Sequence, residues 1–203
     1  EDLYEAARRA SDRGKPFFLE DGSTNQVASF NHNLNDLAAA IGQVQLKKLP
    51  GVVARRRDFI NKLTEGFHDN DLQAISIAPS APGGESSYWW WPLKVNTERL
   101  TCDVTTFSQA LLAEGIPANI IGWNLMPHKM EWFKNRRVFG SSGYPWTSPQ
   151  YEGDPDKQFL CPNATSALAS HIQLTVNESW GDPEVVDILT AFKKVENAYL
   201  KQG

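Results

Sequence analysis

The sequence predicts a small α+β domain with helices packed on one face of a small sheet, preceded by a helical and loop segment. Beyond about residue 50, stretches of helical apolar period alternate with short branched or aromatic runs. Their order is helix, strand, helix, strand, loop, helix, strand, helix. The 203 residues, 41% hydrophobic and 22% charged, suit one globular domain or one domain plus an appendage. No repeat, heptad array or low-complexity tract competes with that reading, and residues 1–50 are not expected to make a compact unit of their own.

Leu3, Ala6, Ala7 and Ala10 fall at helical spacing, and Ser11-Asp-Arg-Gly-Lys-Pro16 stops this first helix, expected over residues 1–12. From Lys15 to Phe30 no period persists, and Asp21-Gly-Ser-Thr-Asn25 is turn chemistry. An asparagine-rich loop with Asn31, His32, Asn33 and Asn35 then runs straight into a helix. Asn33 or Asn35 suits its cap, because a short side-chain oxygen accepts from the orphan N–H groups of the first turn. Leu34, Leu37, Ala38, Ile41 and Val44 form one apolar stripe, while Ala39, Ala40 and Gly42 keep the rest of the circumference slim. Gly42 costs about 1 kcal/mol relative to alanine in an exposed helix, so a closely packed neighbour is expected there.

Leu49-Pro-Gly51 is expected to interrupt that helix, since proline cannot continue the hydrogen-bond ladder, with a second helix starting near Pro50. Val52, Val53, Phe59, Ile60, Leu63 and Phe67 form the second apolar stripe, and Arg56 is expected to snorkel at its edge. After a polar turn at His68 to Asp71 and a loop at Pro79 to Gly84, the run Tyr88-Trp-Trp-Trp-Pro-Leu-Lys-Val95 reads as a strand. Alternation puts Tyr88 and Trp90 on one face and Trp89 and Trp91 on the other, and Pro92 points to an edge or a bulge. Asp103 or Thr101 caps a helix through Phe107, Ala110, Leu111 and Glu114, which Gly115 ends, and Ile116 to Ile121 is a short strand. Residues 122–158 are too long for an idle loop. Asn163 to His171 is a short helix, Ile172 to Val176 a strand, and Asp182-Pro183 the cap and first position of the last helix. That helix carries Val185, Ile188, Leu189, Phe192, Val195 and Tyr199 on one clean stripe.

The net charge of −4, with a single dense basic run at Arg55-Arg56-Arg57 inside a helix, argues against nucleic-acid binding. Cys102 and Cys161 are too few for a disulfide framework and lack C-x-x-C spacing, so a reduced, cytoplasmic protein is expected. No apolar run reaches membrane-spanning length and no His pair has metal spacing, so neither a membrane segment nor a metal site is expected. His68 sits in a polar turn and His171 at a helix end where a cation suits the dipole. His128, in Trp123-Asn-Leu-Met-Pro-His-Lys-Met130, lies in the long loop and is the best histidine for contacting a substrate. Asn31 is either a turn residue satisfying its own backbone or a neutral amide donor to an anion such as phosphate, beside a helix N-terminus. The triple tryptophan is read as core, because alternate ring faces of one strand cannot share a ligand surface.

The stretch Asn31-His-Asn-Leu-Asn-Asp-Leu-Ala-Ala-Ala-Ile-Gly-Gln-Val-Gln-Leu46, followed by Lys-Lys-Leu and Val-Ala-Arg-Arg-Arg57, resembles the DegT/StrS family of pyridoxal-phosphate-dependent sugar aminotransferases. There the stretch reads roughly N-x-R-M-x-E-x-Q-A-A-I-G-x-x-Q-L, then L-x-x-x-x-x-R-R-R. The aromatic strand, the helix ending in Glu-Gly-Ile116, the Pro127-His128 element and the closing helix follow in matching order. The resemblance covers nearly the whole chain, but residues 31–57 carry its specificity. It implies the C-terminal half of a fold-type I enzyme, with residues 1–50 the end of the large cofactor domain plus an interface helix, and residues 51–203 the small domain. A first residue already inside a helical pattern fits such a fragment.

The resemblance implies transfer of an amino group from glutamate or glutamine to a keto-sugar, commonly nucleotide-linked, as in polysaccharide or antibiotic sugar biosynthesis, with pyridoxal 5'-phosphate as cofactor. The Schiff-base lysine would lie upstream of Glu1, so no catalytic residue falls in this chain, which alone would be inactive; Lys15 sits in no matching motif. Asn31 matches the asparagine that reaches the cofactor phosphate across a homodimer interface. Asn33 stands where many relatives have arginine, Asp36 where Glu is usual and Ala38 where Gln is usual, and Leu174-Thr-Val-Asn-Glu-Ser-Trp180 departs from L-P-x-H. These departures point to a divergent substrate, with Asn33, Trp123 and His128 as the substrate-binding candidates. The alternatives are a pyridoxamine-dependent dehydratase of the same family, with histidine replacing the lysine, and a non-enzymatic aromatic carbohydrate-binding module.

Overall fold

The first helix, α1 (Asp2–Ser11), carries Asp2 and Glu5 in its first turn and Arg8 and Arg9 in its last, each sign at the end of the helix dipole that favours it. The computed structural model describes residues 1–21, 23–27, 29–78, 81–120 and 126–202. Its residues divide into two compact units, Glu1–Gly51 and Val52–Gly203. That the first unit is compact differs from the expectation for residues 1–50, because hydrogen bonds rather than an apolar stripe hold it. Asp12 and Asn31 form an isolated antiparallel bridge, flanked by His32 N–H donating to Ser11 O (2.8 Å) and Arg13 N–H to Phe30 O (3.2 Å). Gly14, at φ +74°, admits the returning chain: a Cβ there would lie 2.0 Å from Val27 O.

The second helix, α2 (Asp36–Asp69), starts at the expected cap, with Asn35 Oδ1 accepting from Ala38 N–H at 2.8 Å. It does not break at Leu49-Pro-Gly51, as the proline rule led us to expect, but runs on with Pro50 inside it. The ring removes one ladder donor, yet residues 46–51 are exposed, so water can solvate the carbonyl left over. The expected neighbour at Gly42 is absent among the described residues: a Cβ there would meet nothing within 4 Å. Leu34, Leu37, Ile41 and Val44 are likewise exposed.

In Val52–Gly203 the strands β1 (Ile75–Ile77), β2 (Trp90–Val95), β3 (Ala118–Ile120) and β4 (His171–Thr175) form an antiparallel sheet in the order β1-β2-β4-β3. With α3 (Val104–Ala113), α4 (Glu131–Lys134), α5 (Pro162–Ser170) and α6 (Asp182–Tyr199) this is the expected α+β arrangement. Trp91, Leu93 and Val95 of β2 and Ile172 and Leu174 of β4 are buried with Phe59, Ile60, Leu63 and Phe67 of α2, Phe107 and Leu111 of α3, and Ile188, Phe192 and Val195 of α6. The intervening residues Trp90, Pro92 and Lys94 are exposed. The alternation starts only at Trp90, because Tyr88 is left-handed at φ 48° and ends the extended run. Trp89 and Trp90 therefore do not lie on opposite faces but stack on each other, centroids 4.7 Å apart, while Trp91 alone enters the core. Pro92 lies one residue beyond the last pair β2 makes with β1, so it is tolerated inside a four-stranded sheet.

Asp103 caps α3 by accepting from Thr106 N–H at 2.8 Å, and this bond holds its carboxyl below the usual range. Gly115 follows the helix at φ +85°. The last helix is capped by Gly181 rather than by Asp182: Glu184 reaches back to accept from Gly181 N–H at 2.8 Å, and Asp182, already helical, pairs with Lys62 at 2.7 Å. Glu196, fully buried on α6, accepts from Ala74 N–H and so ties that helix to the entry of β1. The basic run of α2 is satisfied within the chain. Arg55 donates to Glu178 O, Arg56 pairs with the Glu178 carboxylate at 2.7 Å rather than snorkelling, and Arg57 pairs with Glu85.

Candidate functional site

Asn31 lies on the loop that the Asp12–Asn31 bridge pins to the end of α1. Its Oδ1 accepts from Asn33 N–H at 3.2 Å, the local turn bond of an Asx motif. Its Nδ2 makes no hydrogen bond among the described residues, so both N–H groups of the exposed carboxamide are available to a ligand. That polarity suits an anion. The Asn33 side chain is engaged inside the unit: its Oδ1 accepts from Arg8 Nη1 at 3.0 Å.

Asp12, part of the helix stop in the sequence, is the one buried charged residue among the described residues of Glu1–Gly51. Lys15 Nζ donates to Oδ2 at 2.7 Å, and Arg13 donates to Oδ1 from Nη2 at 2.8 Å and Nε at 3.1 Å. The Lys15 bond, outweighing burial and helped by Asn33 and Arg13, lowers the Asp12 carboxyl from 3.8 to about 2. Lys15 is thereby committed to a structural pair. Two carboxylate partners within three residues in sequence were the available signal; the bridge to Asn31, some twenty residues on, left none.

His128 belongs to the other unit, on a short 3-10 turn (Pro127–Lys129) leading into α4. Its Nε2 and Ser29 Oγ, two residues before Asn31, are buried without a hydrogen-bond partner among the described residues. Trp123 lies outside the described residues. The segment after His128 is ordered around Arg136, which donates to the carbonyls of Phe133, Pro155 and Lys157 and lies 4.8 Å from the Trp146 ring centroid. His171 closes α5, its Nδ1 2.6 Å from Ala167 O, and His68 is exposed, each as expected. A groove of about 430 Å³ beside β1, lined by Thr64, Phe67, His68, Leu72 and Ile75, contains none of the candidates. Among the described residues no group of three or more His, Cys, Asp or Glu could hold a metal ion, and no helix is long and apolar enough to cross a membrane.

The family model of the DegT/DnrJ/EryC1/StrS aminotransferases matches residues 1–148. An uncharacterized protein of Methanocaldococcus jannaschii is 27% identical over 167 residues, 82% of this chain and 38% of that protein. A dTDP-4-dehydro-2,3,6-trideoxy-D-glucose 4-aminotransferase of Saccharopolyspora spinosa is 36% identical over 59 residues, 28% of this chain and 15% of that enzyme. Among solved structures, the PLP form of a candidate sugar aminotransferase from Streptococcus pneumoniae matches with a TM-score of 0.69 at 21% identity, over 99% of this chain and 45% of that one. The last likeness shows the fold. The chain thus spans less than half the length of these relatives.

Proposed function

The chain belongs to the DegT/DnrJ/EryC1/StrS aminotransferase family, and from that membership we propose that it is the C-terminal portion of a homodimeric, pyridoxal-phosphate-dependent sugar aminotransferase. The amino group passes from glutamate or glutamine to a keto-sugar, nucleotide-linked, in the cytoplasm. Val52–Gly203 is the small domain and Glu1–Gly51 the end of the cofactor domain, whose Schiff-base lysine precedes Glu1. When bound, pyridoxal phosphate supplies the electron sink that lets an amino group leave one carbon and join another. The residues present fit its phosphate end: Asn31 is exposed, its amide N–H groups make no hydrogen bond among the described residues, and it stands five positions before α2 begins.

Within this reading Asn31 holds a phosphate oxygen in the partner's site, and the exposed stripe of Leu34, Leu37, Ile41 and Val44 serves the dimer interface. His128 and Trp123 are the sugar-binding candidates, and His128 Nε2 accepts from, or donates to, a hydroxyl. Asn33, its carboxamide oxygen engaged by Arg8, shapes the loop instead of touching the substrate. An aromatic sugar-binding module has one observation in its favour, the exposed Trp89–Trp90 stack. Cofactor absorbance separates the two readings, because a module joined to any upstream domain would bind no pyridoxal phosphate.

The carrying observation is the exposed Asn31 amide, its N–H groups without a hydrogen bond among the described residues. In the dimer that includes the cofactor domain, Asn31→Ala is expected to weaken cofactor retention roughly tenfold or more, the loss of one hydrogen bond to a charged group. Absorbance of the cofactor after dialysis reads it, and unchanged retention removes Asn31 from the site.

A further inference from the structure

The Asn31 loop has no apolar anchor: Phe30 on one side and Leu34 on the other are exposed. What holds it is polar and converges on one residue. In the Asp12–Asn31 bridge the two flanking bonds, His32 N–H to Ser11 O and Arg13 N–H to Phe30 O, place Asp12 and Asn31 directly opposite each other. The Asp12 carboxylate gathers Lys15 and Arg13. Asn33, held by Arg8, presents its backbone N–H to Asn31 Oδ1. That last bond decides which end of the Asn31 carboxamide points out.

We propose that Asp12 is a positioning residue for Asn31, orienting its carboxamide N–H outward for the cofactor phosphate through the bridge that sets the two residues opposite each other. The proposal rests on the phosphate reading of Asn31. An unpaired carboxylate buried at this point would be strongly unfavourable; with Arg13 and Lys15 beside it the charge is compensated, and removing it leaves two cations facing each other without a partner. A surface ion pair would contribute little to holding a loop, but Asp12 is 3% exposed, so its bonds are not exchanged for water. The same geometry ranks its partners: Lys15 Nζ touches only Oδ2, so losing it weakens the cluster without emptying it.

Two readouts test this. In the 203-residue chain, amide hydrogen exchange at Arg13 and His32 is expected to accelerate about tenfold in Asp12→Asn, and less in Lys15→Gln, while Leu93 and Ile172 keep their rates. If Asp12→Asn loses structure throughout Glu1–Gly51, Lys15→Gln decides, and unchanged exchange there overturns the proposal. In the dimer that includes the cofactor domain, pyridoxal phosphate affinity is expected to fall in Asp12→Asn and in Asn31→Ala, with the double variant no worse than Asn31→Ala alone. Additive losses overturn action through Asn31. Unchanged affinity in Asn31→Ala overturns the phosphate reading together with this proposal. A loss in Asn31→Ala beside unchanged affinity in Asp12→Asn overturns the positioning role alone.

Discussion

Among the described residues of Glu1–Gly51, no large apolar side chain is buried and Asp12 is the one charged side chain withdrawn from water, whereas Val52–Gly203 buries Phe59, Leu63, Trp91, Leu93, Phe107, Ile172, Phe192 and more around one sheet. The second unit follows the ordinary economy of a small domain, with apolar faces of helices and strands closed on each other. The first holds its loop by directional bonds and leaves Phe30, Leu34, Leu37 and Ile41 exposed. On the dimer reading proposed above, this run of exposed apolar residues along one helix is the partner surface. Polar cohesion and apolar exposure in the same stretch would then be two sides of one arrangement, since side chains given to a partner cannot also build an internal core.

Three experiments press on this contrast. The largest effect is expected in the dry core. Phe192→Ala removes a fully buried ring in contact with Phe67 and Phe107 and is expected to cost about 3–5 kcal/mol, read as a lower urea midpoint for the sheet unit. The next concerns acid. Asp12, lowered by Lys15, Asn33 and Arg13 from 3.8 to about 2, contributes stability that is full above its ordinary value and lost as pH falls through its folded one. Backbone amide shifts of Arg13 and His32 are therefore expected to hold to about pH 4 and move as pH falls towards about 2; movement already complete above that window contradicts the paired carboxylate. The smallest effect belongs to the exposed stripe. Ile41→Ser is expected to change the stability of the isolated chain by less than about 0.5 kcal/mol, yet to weaken dimerisation of the protein that includes the cofactor domain, measured by sedimentation.

Much of the sheet unit is legible in the sequence. Asp103 and Gly115 bracket α3, the stripe from Val185 to Val195 marks α6, and β4 alternates as its residues require. Pro50 misled because the proline rule is local, and a long helix in water tolerates one missing donor. Tyr88 and Trp89 misled because alternation holds only while the backbone stays extended. The site was less legible. Asn31 carries a choice between turn and donor that chemistry leaves open, and the structure shows it doing the first with Oδ1 while Nδ2 remains for the second. The part played by Asp12 depends on bonds to residues about twenty positions away, which no periodicity announces.

The order β1-β2-β4-β3 puts the two shortest strands, of three residues each, on the outside of the sheet. An open strand edge is a template on which a second molecule can lay down its own backbone, and its danger grows with its length. Here the β1 rim offers a foreign chain only a few ladder bonds, while the longer β2 and β4 lie inside the sheet. The brevity of β1 thus protects that edge of the sheet against aggregation, and lengthening it by design would be expected to lower solubility before it changed the fold.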